Sequence, residues 1–530
     1  MFGASILDDG VDQVIVPLNP SFHYNSSAIL GTNQDPLVPV TIVVPPTDRD
    51  EDAKQEDLGL TELLLVANAK REVITLLKLS LPIVLSNLAQ LFLLIPMTAA
   101  IGKLGTIALA SMNLVSIYAG VGGVALLSGL PFALDSLCSQ AYTAAKDRRL
   151  LGIYLQRILV ATMIVSASIY PLWWYSPDIF KSLGVPSAVA EVTGKVLRPY
   201  FFALVLLITY ECLKSFLFAQ GIRRFAIIVQ IIGLPVGWLC IWFLISNPST
   251  SLGILGVPWV LIVVGSGFNI IVLVFISVFD GHQCWGGWSR AAFSGLGPVF
   301  KLSAAGSAIA FFESVSQHMV DFGALLLDAP SMAAQTVLSM IANSVSGIGI
   351  GFAVSACNRV GHLLGLGQPN RTLLTVYVTV GLATVMFVAM GLAIIASRSK
   401  IPGVFTPDAE VADILFAHIP WAAASGVVTG VNLAFNGILR GQGRQAMVAR
   451  IRALSVVCIG FPLGAFSMYV LKWRLAGLWF GHLISLIVAL LAQVYVVATT
   501  NWAQESENCQ ARVSDAMLEN GAHIGRASDL

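Results

Sequence analysis

A few ionisable side chains stand inside long apolar stretches of this 530-residue chain: Asp135, Glu211, Glu313 and Asp321, with His318 among them. A carboxylate held at mid-bilayer is costly, so each such position marks a function or a paired contact. Glu313 has the most apolar setting, Ala308-Ile309-Ala310-Phe311-Phe312-Glu313-Ser314. At about 100° per helical residue, Ser303, Glu313, Gln317 and Asp321 fall within an arc of about 80°. That polar stripe cannot face lipid, so it lines a cavity or an interhelical contact. Gln335 and Asn343 from the next apolar stretch can meet it, as can Asn432 and Asn436 from a later one. A carboxyl removed from water holds its proton more tightly and can exchange it near neutral pH. When ionised it attracts an organic cation. Proton exchange and substrate binding therefore both centre on Glu313, against the simpler alternative of a hydrogen-bond knot between helices.

The other groups divide between binding and packing. His318 lies about 140° round the helix from Glu313. It suits packing or a hydrogen bond, or else a proton relay or substrate contact. Asp321, two turns beyond Glu313, is a further substrate-binding candidate. Glu211 has Lys214 three residues on, the spacing of a helical ion pair. Asp135 opens Asp135-Ser136-Leu137-Cys138-Ser139-Gln140, where Asp135 and Gln140 suit a gate or a cap as well as a substrate. Tyr118, Phe311, Phe312 and Phe435 can wall a cation site or simply pack.

Composition says where such helices live. Hydrophobic residues make up 56% of the chain and charged residues 11%, against about 25% charged in soluble domains. Mean hydropathy is +0.80. So few charges cannot cover a water-soluble surface, and a net charge of +1 offers no field for nucleic acid. The seven cysteines form no CxxC pair, and the seven histidines are scattered. No phosphate-binding loop, HExxH or GxSxG occurs, so the reading is a non-enzyme with no cofactor and no metal.

Charges, turn clusters and apolar runs mark twelve membrane spans: about 79–100, 107–133, 152–174, 196–219, 226–247, 254–279, 300–327, 332–357, 372–397, 411–437, 450–471 and 476–499. The even-numbered connections hold 15 Lys and Arg, Arg440, Arg444, Arg450 and Arg452 among them, and the odd ones hold eight. Even connections and both termini are then cytosolic. Residues 1–70 read as a disordered acidic tail without a signal peptide, and 501–530 as a second disordered tail. Between them lie bundles at 71–280 and 300–500, joined by a linker at 281–299. Asn25-Ser26-Ser27 and Asn370-Arg371-Thr372 match a glycosylation pattern on the cytosolic side, by chance. Phe218-Ala219-Gln220-Gly221 and Gly233-Leu234-Pro235-Val236-Gly237 recur as Arg440-Gly441-Gln442-Gly443 and Gly460-Phe461-Pro462-Leu463-Gly464. The fold class is all-α integral membrane. Twelve helices form two six-helix bundles related by a pseudo-two-fold along the membrane normal.

Ala133-Leu134-Asp135-Ser136-Leu137-Cys138-Ser139-Gln140-Ala141-Tyr142 and Leu151-Gly152-Ile153-Tyr154-Leu155-Gln156-Arg157 resemble the multidrug and toxic compound extrusion (MATE) family. So do Cys212-Leu213 with Phe216-Leu217-Phe218-Ala219-Gln220, Asn358-Arg359-Val360-Gly361 with Leu364-Gly365-Leu366-Gly367, and Gly437-Ile438-Leu439-Arg440-Gly441-Gln442-Gly443. The acidic N-terminal stretch resembles fungal members, including those linked to ethionine resistance. The resemblance implies a V of two bundles that exports organic cations or other amphiphiles in exchange for H⁺ or Na⁺. It places the key acid of span 7 at Glu313, and puts His318 where many eukaryotic members have a second acid. A span-10 acid of some members corresponds to Thr429, and the first span carries no acid. These departures favour H⁺ over Na⁺ coupling. The expected protein is a monomer in the vacuolar or plasma membrane of a eukaryote, with alternating access by rocking of its halves. An Na⁺-coupled exporter and a lipid-linked precursor flippase are the alternatives.

Overall fold

The computed structural model describes residues 48–406 and 408–528. The chain divides into two compact units, Met1–Glu62 and Leu63–Leu530, and apart from the start of α1 the second holds everything that follows. All regular structure among the described residues is helical. The first half comprises α1 (Asp48–Gly102), α2 (106–144), α3 (Leu150–Trp174), α4 (Ser187–Ala219), α5 (Arg224–Ser246) and α6 (Gly256–Val278). The second comprises α7 (Leu296–Leu325), α8 (Ala329–Gly365), α9 (Pro369–Ala396), α10 (Ala409–Gly441), α11 (Gln445–Tyr469) and α12 (Arg474–Ala498). A last helix, α13 (Trp502–Ser528), follows.

Eleven of these helices are long and apolar enough to cross a membrane. The twelfth is α7, whose 30 residues are diluted by Lys301, Glu313, Gln317, His318 and Asp321. Its polarity is tolerable because neighbouring helices cover it. The first half packs around a single large apolar cluster. The second is split among smaller clusters, which leaves room for polar side chains between them.

The repeated motif has a shared geometry. Gly221 and Gly443 follow α4 and α10 with φ of 81° and 79°. In each case the next amide reaches back five residues: Ile222 N to Leu217 O at 3.1 Å and Arg444 N to Leu439 O at 3.0 Å. Only a residue without Cβ takes that left-handed cap cheaply.

Several boundaries change. Residues 1–47, with Asn25-Ser26-Ser27, lie outside the described residues. Helix α1 already runs from Asp48, so residues 48–70 are not an irregular tail. Asn370 lies in the first turn of α9. Residues 501–530 were expected to be disordered, but 502–528 form α13. Trp502, Cys509 and Val513 recur at helical spacing and are buried, while the rest of the helix is too polar to register as apolar sequence. Span 11 begins at Gln445 rather than 450, so Arg450 and Arg452, counted with the connection, lie well inside the helix. The 281–299 linker is held to the first half: Gln156 Nε2 donates to Gly287 O at 2.6 Å and Arg157 Nε to Ala291 O at 3.1 Å.

Candidate functional site

The polar stripe of α7 turns into the second half. Glu313 Oε1 lies 3.5 Å from Nη2 of Arg452 on α11, with 20% of the Glu313 side chain exposed and 2% of the Arg452 side chain. Nε and Nη1 of Arg452 are buried without a partner. Each such unmade bond costs about 1–3 kcal/mol, so the guanidinium is held there against its own solvation. A π-helical turn, Ser455–Gly460, begins three residues after it. One turn up α7, Ser316 Oγ and His482 Nδ1 of α12 share a hydrogen bond of 3.1 Å. Gln317 Nε2 donates to Ser346 Oγ of α8 at 3.0 Å.

Asp321 is the hub of a second cluster. Its Oδ2 pairs with His318 Nδ1 at 3.1 Å. Its Oδ1 accepts from Gln335 Nε2 at 2.9 Å and from Ser339 Oγ at 2.5 Å. Trp479 Nε1 fixes Gln335 from behind by donating to its Oε1 at 3.0 Å. Both oxygens of this carboxyl group are thereby engaged. His318 also faces the cleft between the halves. It helps line a cavity of about 350 Å³ with Tyr118, Val121 and Gly122 of α2, and Met319 and Phe322 of α7. Phe311 and Phe312 line a second cavity of about 490 Å³ with Leu126 and Val165 of the first half.

Asn87 Nδ2 of α1 donates to Gly347 O of α8 at 3.1 Å within the helices, but most hydrogen bonds that join the halves gather at one end of the molecule. Arg440 Nη2 meets Asp135 Oδ2 at 2.5 Å, with both side chains buried, and the guanidinium stacks 3.8 Å from the Phe132 ring. Gln140 Nε2 donates to Gly441 O at 2.8 Å, Gln445 Nε2 to Phe132 O at 2.9 Å, and His362 Nε2 to Ala219 O at 2.7 Å. Arg359 forks onto Glu72 at 2.7 and 2.8 Å, and Thr375 Oγ1 adds a third bond to that carboxylate. The backbones meet closely here. A Cβ on Gly129 would sit 2.1 Å from Ser307 N, a fit that small residues permit between membrane helices. Helix α13 lies over this closed end. Its Ser506 Oγ and Arg512 Nη2 donate to Leu364 O and Gln442 O of the second half, and its Val513 joins the core of the first.

The structure sorts the remaining candidates. Glu211 pairs with Lys214 Nζ at 2.6 Å. Asn343 is exposed and outside the Asp321 network. Asn432 is a structural knot: its Nδ2 donates to Leu486 O at 3.0 Å and its Oδ1 accepts from Gln493. Its side chain is therefore committed to α12. Asn436 is fully buried with neither amide atom partnered. Phe435 is in the core of the second half. Thr429 is buried on α10. Sequence reading missed Arg452, because a basic residue near a turn resembles a connection. It missed His482, Ser316, Ser339 and Trp479, because single polar residues in apolar runs do not announce their partners.

The comparisons with known proteins point one way. Residues 82–243 and 307–466 each match the MatE family pattern, one match per half. An uncharacterized transporter of Schizosaccharomyces pombe is 26% identical over 82% of this chain and 80% of that protein. Protein DETOXIFICATION 17 of Arabidopsis thaliana is 28% identical over 87% of this chain and 99% of that one. The crystal structure of the eukaryotic MATE transporter AtDTX14 superposes with a TM-score of 0.79 at 23% identity, covering 84% of this chain and 100% of that one. Two matching halves of six membrane helices each, sealed to one another at one end, make this chain an integral membrane transporter of the MATE family.

Proposed function

We propose that the protein is a secondary antiporter that exports amphiphilic solutes carrying a basic group in exchange for protons. The observation that carries this reading is Glu313, a partly exposed carboxylate inside the second half with one long contact to Arg452. With the site open to the proton-rich side, Glu313 takes a proton and the solute leaves. With the site open to the cytosol, the proton departs and a solute binds. Rocking of the halves about the Asp135–Arg440 seal alternates the two openings, and each pH unit supplies about 1.4 kcal/mol per proton. The lysine and arginine bias, with Lys146, Arg148 and Arg149 near the sealed end, supports a cytosolic position for that end.

Protons suit the site better than Na⁺. A hard cation needs several oxygen ligands free of other donors. Here Asp321 already accepts from His318, Gln335 and Ser339.

Proteoliposomes loaded with a fluorescent organic cation test this. Efflux should follow an imposed pH gradient, ignore an Na⁺ gradient, and vanish in Glu313→Gln. Efflux that tracks Na⁺, or that survives the substitution, would reduce Glu313 to a structural residue.

A further inference from the structure

Three ion pairs inside the helices close tightly: Asp135–Arg440 at 2.5 Å, Glu211–Lys214 at 2.6 Å and Glu72–Arg359 at 2.7 Å. Glu313–Arg452 does not. It is a single contact at 3.5 Å, and it leaves two Arg452 nitrogens buried and unpartnered. The other acid of α7, Asp321, is occupied by His318, Gln335 and Ser339. Glu313 and Arg452 thus both keep bonding capacity to spare, and they stand side by side.

Charge accounting then constrains the solute. A permanent cation that takes Glu313 leaves the buried guanidinium without a counter-charge, which an apolar interior penalises heavily. An anion that takes Arg452 leaves Glu313 in the same position. A solute bearing both a basic and an acidic group replaces the Glu313–Arg452 contact with two new pairs and strands neither charge. Glu313 is the exposed member, so the solute arrives basic group first and its acidic group meets the unused N–H groups behind. A planar guanidinium suits a carboxylate, which it can grip through two bonds.

We propose that Arg452 makes the second-half site selective for zwitterionic organic solutes, Glu313 taking the basic group and Arg452 the acidic one. This rests on the exchange site proposed above and specifies its substrate class.

The test uses one dye in two forms. Tetramethylrhodamine free acid is zwitterionic at neutral pH, and its methyl ester is a monocation with the same ring system. Binding of each to the full-length protein in lipid nanodiscs is followed by fluorescence anisotropy. The wild type should bind the acid about ten-fold more tightly than the ester. Arg452→Gln should abolish that preference while retaining the ester. Arg452→Lys, which keeps the charge but not the fork, should retain a smaller preference.

Equal affinities in the wild type, no binding of the acid, or an unchanged ratio in Arg452→Gln would overturn the proposal. If Arg452→Gln binds neither dye, Arg452→Lys decides, and no preference there overturns it too. Transport separates this proposal from the exchange reading. Proton-driven movement of the ester alone would sink the zwitterion site and spare the exchange. Proton-independent movement of both dyes would do the reverse.

Discussion

The Asp135–Arg440 pair should hold the sealed end shut, and its contribution can be estimated. Both side chains are buried, 2.5 Å apart, and they come from opposite halves. Removing one partner of such a pair costs about 3–5 kcal/mol, because the other is left charged and dry. The loss applies while the end is closed. Once it opens, the stranded charge reaches water. Arg440 keeps its stacking on Phe132 in Asp135→Leu, so the lower figure is appropriate. At about 1.4 kcal/mol per factor of ten, Asp135→Leu should raise the open-to-closed ratio about a hundred-fold. Spin labels at Lys146 and Leu366, exposed on opposite halves, would report it as a longer distance population. Exposed Cys458 would be removed first. The double variant Asp135→Leu with Arg440→Leu strands no charge and should close again. A coupling energy within about 0.5 kcal/mol of zero in the double-mutant cycle would refute the argument. So would single variants with unaltered distances.

Three more outcomes follow from the same geometry. Gly129→Val should prevent closure, because its side chain would enter the Ser307 backbone. Overpacking of about 1–3 kcal/mol or more should appear in the same label distances and as a lower melting temperature. Deleting residues 502–528 should loosen the sealed end, since Arg512, Ser506 and Val513 tie α13 to both halves; a distance distribution identical to wild type would show α13 to be a bystander. Burial pushes the Cys509 thiol up to about 11. At pH 8 only about one thiol in a thousand is then thiolate, so maleimide labelling should be slow. It should quicken in Val513→Asp, which pries the helix off; equal rates would argue against docking.

What the sequence shows and what it hides differ in kind. A span is a property of about 20 neighbouring residues, so eleven helices declare themselves by hydropathy alone, and the repeat declares itself through Gly221 and Gly443. Helix α7 is legible for the opposite reason, since a glutamate amid Phe311, Phe312 and alanines is costly unless covered. Partners are properties of pairs far apart in sequence, and local pattern does not encode them. Asp321 finds Gln335 and Ser339, and Asp135 finds Arg440 across 305 residues. Asn432, polar and on the right helix, was a fair candidate until Leu486 O and Gln493 claimed it. Arg452 is the sharpest case. Counted as a loop residue, it argued for membrane orientation. Two turns inside α11, it lies 3.5 Å from Glu313. A charge counted with a connection thus stands inside a helix, beside an acid of α7. In a membrane protein with 11% charged residues, the meeting of Arg452 with Glu313 is set by how α11 packs against α7, which no run of neighbouring residues encodes.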